Sequence, residues 1–210
     1  MAWWLEAAWY LASVADEQLW ERTLGGHFVL PKRTFWPSFF SKFVARLQWN
    51  PEAIDLTPDA RAWPRLPAER RRRLMTLLAG FRVAEDAVAE QITPFADAVR
   101  RETLASQESL VAWTFSLQRR DEERHARLFD RRAAAREYAP PGILDLFEEL
   151  LPTMAAELAA GQTRLGEGVS LYHMLLEGVV FNAGTQALLD DLADGALPGV
   201  REGVERIERD

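Results

Sequence analysis

From residue 67 onward the apolar residues recur at three- and four-residue steps, the period of a helix with one buried face. Leu74, Leu77, Leu78, Phe81, Val88, Ile92 and Phe95 form one such stripe and predict a helix from Pro67, at its first position, to about residue 103. Val111, Phe115, Gln118, Glu122, His125 and Phe129 share a face of a second helix over about 107–138, ended by Pro140-Pro141-Gly142. A third is predicted over about 142–160, before Gly161 and Gly166. A fourth is predicted from Ser170, as its N-cap, to near Gly195, with Ser170, Met174, Glu177, Phe181, Gly184 and Leu188 on one face. Pro198-Gly199 opens a fifth that runs to Asp210.

Upstream the pattern changes. Residues 1–24 read as an amphipathic helix carrying Trp3, Trp4, Trp9 and Trp20, and residues 25–66 as a loop-rich aromatic wrap broken by Gly25-Gly26 and five prolines. No strand alternation and no internal repeat is present. Long helices joined by short links predict an all-α antiparallel four-helix bundle over 67–210 with an additional N-terminal helix, one domain in all.

Three glutamates break the apolar stripes. Glu85 stands between Phe81 and Val88, Glu122 three residues before His125, and Glu177 between Leu176 and Gly178. An ionised carboxylate in a core costs several kcal/mol without a partner, on the order estimated for any buried charge. Converging carboxylates also repel each other unless a cation lies between them. Plainer readings exist for three of these residues: an arginine partner for Glu85, a solvated face for Glu122 within Arg119–Arg124 and a hydrogen-bonded core imidazole for His125. Glu177 in its apolar run is the hardest to explain that way. Taken together, Glu, then Glu-x-x-His, then Glu on successive long helices is most of the ligand pattern of a ferritin-like di-metal bundle. A second Glu-x-x-His would complete it. The Glu85-to-Glu122 step, repeated from Glu177, lands near position 214, so this pair is expected just beyond residue 210 and the C-terminal part of the bundle reads as cut short.

Composition narrows the chemistry. The 210-residue chain has no cysteine, so any metal must use carboxylate, imidazole and water, ligands that suit iron, manganese, zinc and magnesium. A net charge of −7 argues against a nucleic-acid surface. The N-terminus lacks the basic start of a signal sequence and is too short to span a bilayer, so it is expected to pack on the bundle or on a second subunit, and the expected location is the cytoplasm.

Several spaced motifs occur in one order: Trp49-Asn50-Pro51-Glu52-Ala53-Ile54-Asp55, Glu85-Asp86-Ala87-Val88 with Pro94-Phe95, Asp121-Glu122-Glu123-Arg124-His125, Tyr172-His173-Met174-Leu175-Leu176-Glu177-Gly178 and Leu197-Pro198-Gly199. Over residues 35–210 this resembles the ligand-binding oxidases related to the ribonucleotide reductase small subunit. The resemblance implies a ferritin-like fold, a manganese/iron or di-iron centre held by Glu85, Glu122, His125 and Glu177, dioxygen activation, and a long-chain fatty acid beside the metals, with a homodimer as the expected assembly. It also implies an ether cross-link between Val88 and Tyr172. On an ideal helix Tyr172 lies about 140° from Glu177, so that helix must be distorted or the tyrosine must reach across. His173, four residues before Glu177, is expected in a supporting hydrogen bond and His27 in no role. Two other readings stay open: a radical-generating subunit for ribonucleotide reduction, against which Phe129 stands where many such subunits have tyrosine, and a truncated, non-catalytic bundle.

Overall fold

The computed structural model describes residues 48–102, 105–130 and 135–210, without the side chains of residues 100, 102 and 105–113. The N-terminal helix expected over 1–24, the wrap as far as residue 47, His27 and the Val111 side chain lie outside the described residues. Every described element is helical. A 3₁₀ turn (Pro51–Ala53), α1 (Thr57–Ala62) and a second 3₁₀ turn (Trp63–Arg65) lead to α2 (Ala68–Gln91), α3 (Thr93–Glu102) and α4 (Ala105–Asp130). After a 3₁₀ turn (Arg136–Tyr138), α5 (Pro141–Leu144) continues through a π-helical stretch (Asp145–Leu150) into α6 (Leu151–Ala159). Then α7 (Leu165–Val169) continues through a longer π-helical stretch (Ser170–Phe181) into α8 (Asn182–Asp191), and α9 (Pro198–Arg209) follows.

Contacts between side chains fix the directions. Phe95 meets Phe115 and Phe81 stacks on Phe129 at 5.1 Å, so α4 runs antiparallel to α2 and α3. Gly80 lies against Pro140 and Ile143, and Arg101 donates to the Leu158 carbonyl, so α5–α6 runs parallel to α2–α3. Gly168 lies against Phe95 and Gly184 against Phe81, so α7–α8 is antiparallel again. The result is an up-down-up-down bundle, the topology that short connections favour. Its core includes Leu74, Leu78, Phe81, Val88, Phe95, Phe115, Phe129, Phe147, Tyr172, Leu176 and Phe181.

Three local expectations are corrected. The first long helix is two helices, broken at Ile92. Pro94 has no N–H and its ring would crowd the carbonyl four residues back, so it sits in the first turn of α3 instead. Pro67 is the N-cap of α2 rather than its first residue. Ser170 is not an N-cap. Helix α7 begins five residues earlier, where the Arg164 N–H donates to the Glu167 carboxylate at 3.1 Å, and the Ser170 hydroxyl donates to the Gly166 carbonyl inside the helix.

The π-helical winding also changes which residues face inward. Met174 is 63% exposed rather than inside, while Tyr172, Leu176 and Phe181 are buried. The five-residue step from Leu176 to Phe181 is the i→i+5 repeat of a π-helix.

The start of α9 is held by a residue far away in sequence. Asp59 is fully buried, and its carboxylate accepts the N–H groups of Gly199 (3.1 Å) and Val200 (3.2 Å). Pro198 leads the same turn and has no N–H to satisfy. A Cβ on Gly199 would run into Asp59 Oδ2 and the Asp55 carbonyl oxygen, and one on Gly203 into the Leu128 side chain, so α9 packs close against its neighbours at both glycines. Replacing Asp59 by Ala strands two buried donors. The expected loss is about 1–3 kcal/mol, read as a lower denaturant midpoint, with a smaller loss for Asp59→Asn, which keeps one acceptor.

Candidate metal centre

Glu85 on α2 and Glu122 and His125 on α4 converge inside the bundle. Antiparallel packing of α2 on α4 brings the two helices face to face, and the three-residue spacing puts Glu122 and His125 side by side. One ligand atom from each of the three lies within 4.8 Å of the others, and all three residues are buried. His125 Nδ1 is 3.3 Å from Glu85 Oε2 and 3.5 Å from Glu122 Oε2. Its other nitrogen, Nε2, is 3.0 Å from Asp210 Oδ2. A carboxylate behind a ligating imidazole fixes ring and tautomer: Nε2–H donates to Asp210 and Nδ1 is left to face the cluster.

The electrostatics are those of a site short of positive charge. Burial, with a further contribution from the charge on Glu85, pushes the Glu122 carboxyl up to about 7. Burial opposes charge on His125 too, but Glu85 and the hydrogen bonds to Asp210, Glu122 and Glu85 outweigh it and hold its pKa well above the usual imidazole range. Glu85 Oε1 is buried with no hydrogen-bond partner among the described residues. An orphaned carboxylate oxygen beside a second carboxylate and an imidazole is a donor set that fits a divalent cation, which would take up that lone pair and the excess negative charge together.

Glu177 joins the cluster through Tyr172. The phenol hydroxyl lies 2.7 Å from Glu177 Oε1 and 3.0 Å from Glu122 Oε1, bridging the two carboxylates, and Gln118 Nε2 donates to it at 2.9 Å. The angular problem posed by the five-residue spacing is solved by distortion: Tyr172 and Glu177 both lie in the π-helical stretch, where residue i+5 falls over residue i. Burial, then the charges of Glu122 and Glu177, hold the phenol well above its usual pKa. Glu177 is only partly buried and stands outside the group of three. Val88 is buried one turn beyond Glu85 on α2. His173 reaches the network through Gln118, with Nε2 3.3 Å from Gln118 Oε1.

A layer that sequence reasoning missed surrounds His125. Arg124 is buried and donates to Asp121 Oδ1 (2.8 Å), Asp210 Oδ2 (2.7 Å) and Gln48 Oε1 (2.5 Å). Trp49 Nε1 donates to the same Asp210 oxygen at 2.7 Å, and its ring lies under the Arg124 guanidinium. The run Arg119–Arg124 is therefore no uniform solvated face. Arg119 and Glu123 pair on the outside, whereas Asp121, Glu122 and Arg124 point in. The available signal was the three-residue step from Asp121 to Arg124, parallel to that from Glu122 to His125.

Among solved structures the chain matches R2-like ligand-binding oxidases. One, a tyrosine-to-phenylalanine mutant with aerobically reconstituted Mn/Fe cofactor, aligns at TM-score 0.75 and 22% identity over 90% of this chain and 71% of that one. A second, with aerobically reconstituted Mn/Fe cofactor after a long soak, aligns at TM-score 0.73 and 23% identity over 81% and 62%. A valine-to-leucine mutant aligns at 0.74 and 22% over 90% and 71%. No family model matches the chain. The fold is a helical bundle similar to that of the R2-like ligand-binding oxidases, the fold that the motif resemblance implied.

Metal binding here must displace protons held by Glu122 and by His125, both of whose pKa values are raised. Affinity for Mn(II) should therefore rise with pH, by about tenfold per pH unit for each proton released, and fall as Glu122 becomes protonated below about 7. Titration calorimetry at pH 6, 7 and 8 in buffers of different ionisation enthalpy reads both the affinity and the proton count. Glu85→Gln should lose the binding.

Proposed function

We propose that the protein is a di-metal carboxylate oxidase. Glu85, Glu122, His125 and Glu177 would hold a manganese/iron or di-iron pair that activates dioxygen, next to a bound molecule resembling a long-chain fatty acid. The observation that carries this reading is the buried Glu85–Glu122–His125 cluster with its orphaned oxygen, an arrangement that is costly without a cation. The Mn/Fe cofactor of the structurally similar oxidases agrees with it. The metals, when bound, would supply the capacity to take electrons from a nearby C–H bond and pass them to dioxygen.

The chain's own residues do the rest. Asp210 orients His125 from behind. Phe81, Phe129 and Phe181 pack on one another in the interior of the bundle beside Glu85 and keep water out. Tyr172 holds its hydroxyl against two of the proposed ligands, and Val88 offers a tertiary C–H on the helix that carries Glu85. Joining them forms one bond, Val88 Cβ to Tyr172 Oη, and breaks one C–H and one O–H. The bound metals would supply the two-electron oxidation, with dioxygen as the final acceptor of both electrons and both protons at the peroxide level, and Glu122 and Glu177 lie within reach of the phenolic proton. The apolar surroundings, including Phe95 against Tyr172 and Phe115 against His173, suit an alkyl chain better than a polar substrate.

Aerobic loading with manganese and iron is expected to fuse the tryptic peptides that contain Val88 and Tyr172, with a loss of about 2 Da from the two hydrogens removed. Tyr172→Phe should abolish the fused peptide and leave the metal content unchanged. Organic extraction of denatured protein should release a lipid. A metal-loaded, oxygen-exposed protein with neither lipid nor fused peptide overturns the oxidase reading in favour of a radical-generating subunit.

A further inference from the structure

Gln118 and His173 belong to none of the proposed ligand positions, yet both point at the phenol. Gln118 lies one turn before Glu122 on the same face of α4. Its Nε2 is 2.9 Å from the Tyr172 oxygen, and its Oε1 is 3.3 Å from His173 Nε2. His173 packs edge-on against both Tyr172 and Phe115.

An amide between a hydroxyl and an imidazole has two orientations. With the nitrogen toward Tyr172, the phenol oxygen accepts and its hydrogen is free for the carboxylates. With the oxygen toward Tyr172, the amide competes with Glu122 and Glu177 for the single phenolic hydrogen. The imidazole selects between them. An Nε2–H must face the amide oxygen and so turns the amide nitrogen toward Tyr172. His173 is neutral, since burial pushes its pKa down to about 4. Its Nδ1 has only the Val169 carbonyl nearby and makes no well-aligned hydrogen bond among the described residues, whereas Nε2 faces Gln118 Oε1 at 3.3 Å, so an N–H is less costly on Nε2 than on Nδ1. The neutral ring therefore carries its hydrogen on Nε2.

We propose that Gln118, held in one orientation by the Nε2–H tautomer of His173, is the positioning residue that commits the Tyr172 hydroxyl to donate to Glu122 and Glu177. When cations occupy those carboxylates, the donation from Gln118 still holds the phenol oxygen in place. It also strengthens as negative charge builds on that oxygen. The placement of Tyr172 follows from the structure alone; its consequence for the Val88–Tyr172 bond rests on the oxidase reading.

The full chain has three histidines and three tyrosines, few enough for selective labelling. In metal-free protein at pH 7, ¹⁵N spectra of labelled histidine should show His173, assigned by its loss in His173→Phe, as the neutral Nε2–H form. The ¹³Cζ resonance of Tyr172, assigned with Tyr172→Phe, should move in both Gln118→Leu and His173→Phe while that of exposed Tyr138 stays put. After aerobic metal loading, the fused-peptide yield per bound metal should fall about fivefold in Gln118→Leu, the size of one neutral hydrogen bond. An Nδ1–H tautomer, or a Tyr172 resonance unmoved by either variant, overturns the proposal. A wild-type protein with no fused peptide overturns the oxidase reading instead, and leaves the two spectroscopic results to decide the placement of the phenol.

Discussion

Two carboxylates and an imidazole enclosed within one helical bundle set the terms for everything around them. Glu85 and Glu122 repel each other in a medium that screens poorly, and His125 can answer only one of them as a cation. The surrounding structure restrains the three side chains instead of neutralising them. Asp210 pins the far side of the imidazole, the Tyr172 hydroxyl ties Glu122 to Glu177, and stacked phenylalanines close the space beside Glu85. A cluster built this way is poised for a cation, because the restraint is already in place before any ion arrives.

The same logic explains the charge layering outside the cluster. Asp121 and Asp210 are both acidic and both close to His125, and Arg124 stands between them with hydrogen bonds to each. Burial, with a further contribution from the charge on Asp210, pushes the Asp121 carboxyl up, partly offset by Gln48, Arg124 and His125. For Asp210 the opposing contributions of His125, Arg124 and Trp49 win over burial and hold its carboxyl down. The imidazole thus faces a dependable anion on one side and the crowded pair of Glu85 and Glu122 on the other. That asymmetry gives its two nitrogens separate tasks. It also makes the position of α9 part of the site, since α9 leads into Asp210 and begins on the buried Asp59.

Much of this was legible in the sequence, for a specific reason. A glutamate in an apolar stripe contradicts its surroundings, and three such contradictions on successive helices, with a histidine three residues from one of them, pointed to a shared centre. Glu85, Glu122 and His125 meet as that pattern required. The pattern did not reveal that Glu177 would reach the others through a phenol. Stripe reading assumes one helical period, and the period changes between Ser170 and Phe181, which also turned Met174 outward. Nor could it find Asp59, Arg124 or Asp210, whose partners lie far off in sequence or in a charge run that resembles ordinary surface. The break at Ile92 was within reach, because Pro94 is incompatible with an uninterrupted helix.

The π-helical stretch gives the site an unusual dependence. In an α-helix, which residues meet is decided by which side chains stand at fixed spacings, and substitution is the ordinary route to change. Between Tyr172 and Glu177 the meeting depends on the number of peptide units in the turn. Exchanging the residues at 173–176 leaves that number intact, whereas gaining one would rotate the phenol away from its carboxylate while every side chain stayed the same, and losing one would return the pair to the α-helical i, i+4 spacing. The contact is therefore set by the length of this turn as much as by its residues, and a single inserted codon between Tyr172 and Glu177 would remove the phenol from the centre with no side chain exchanged.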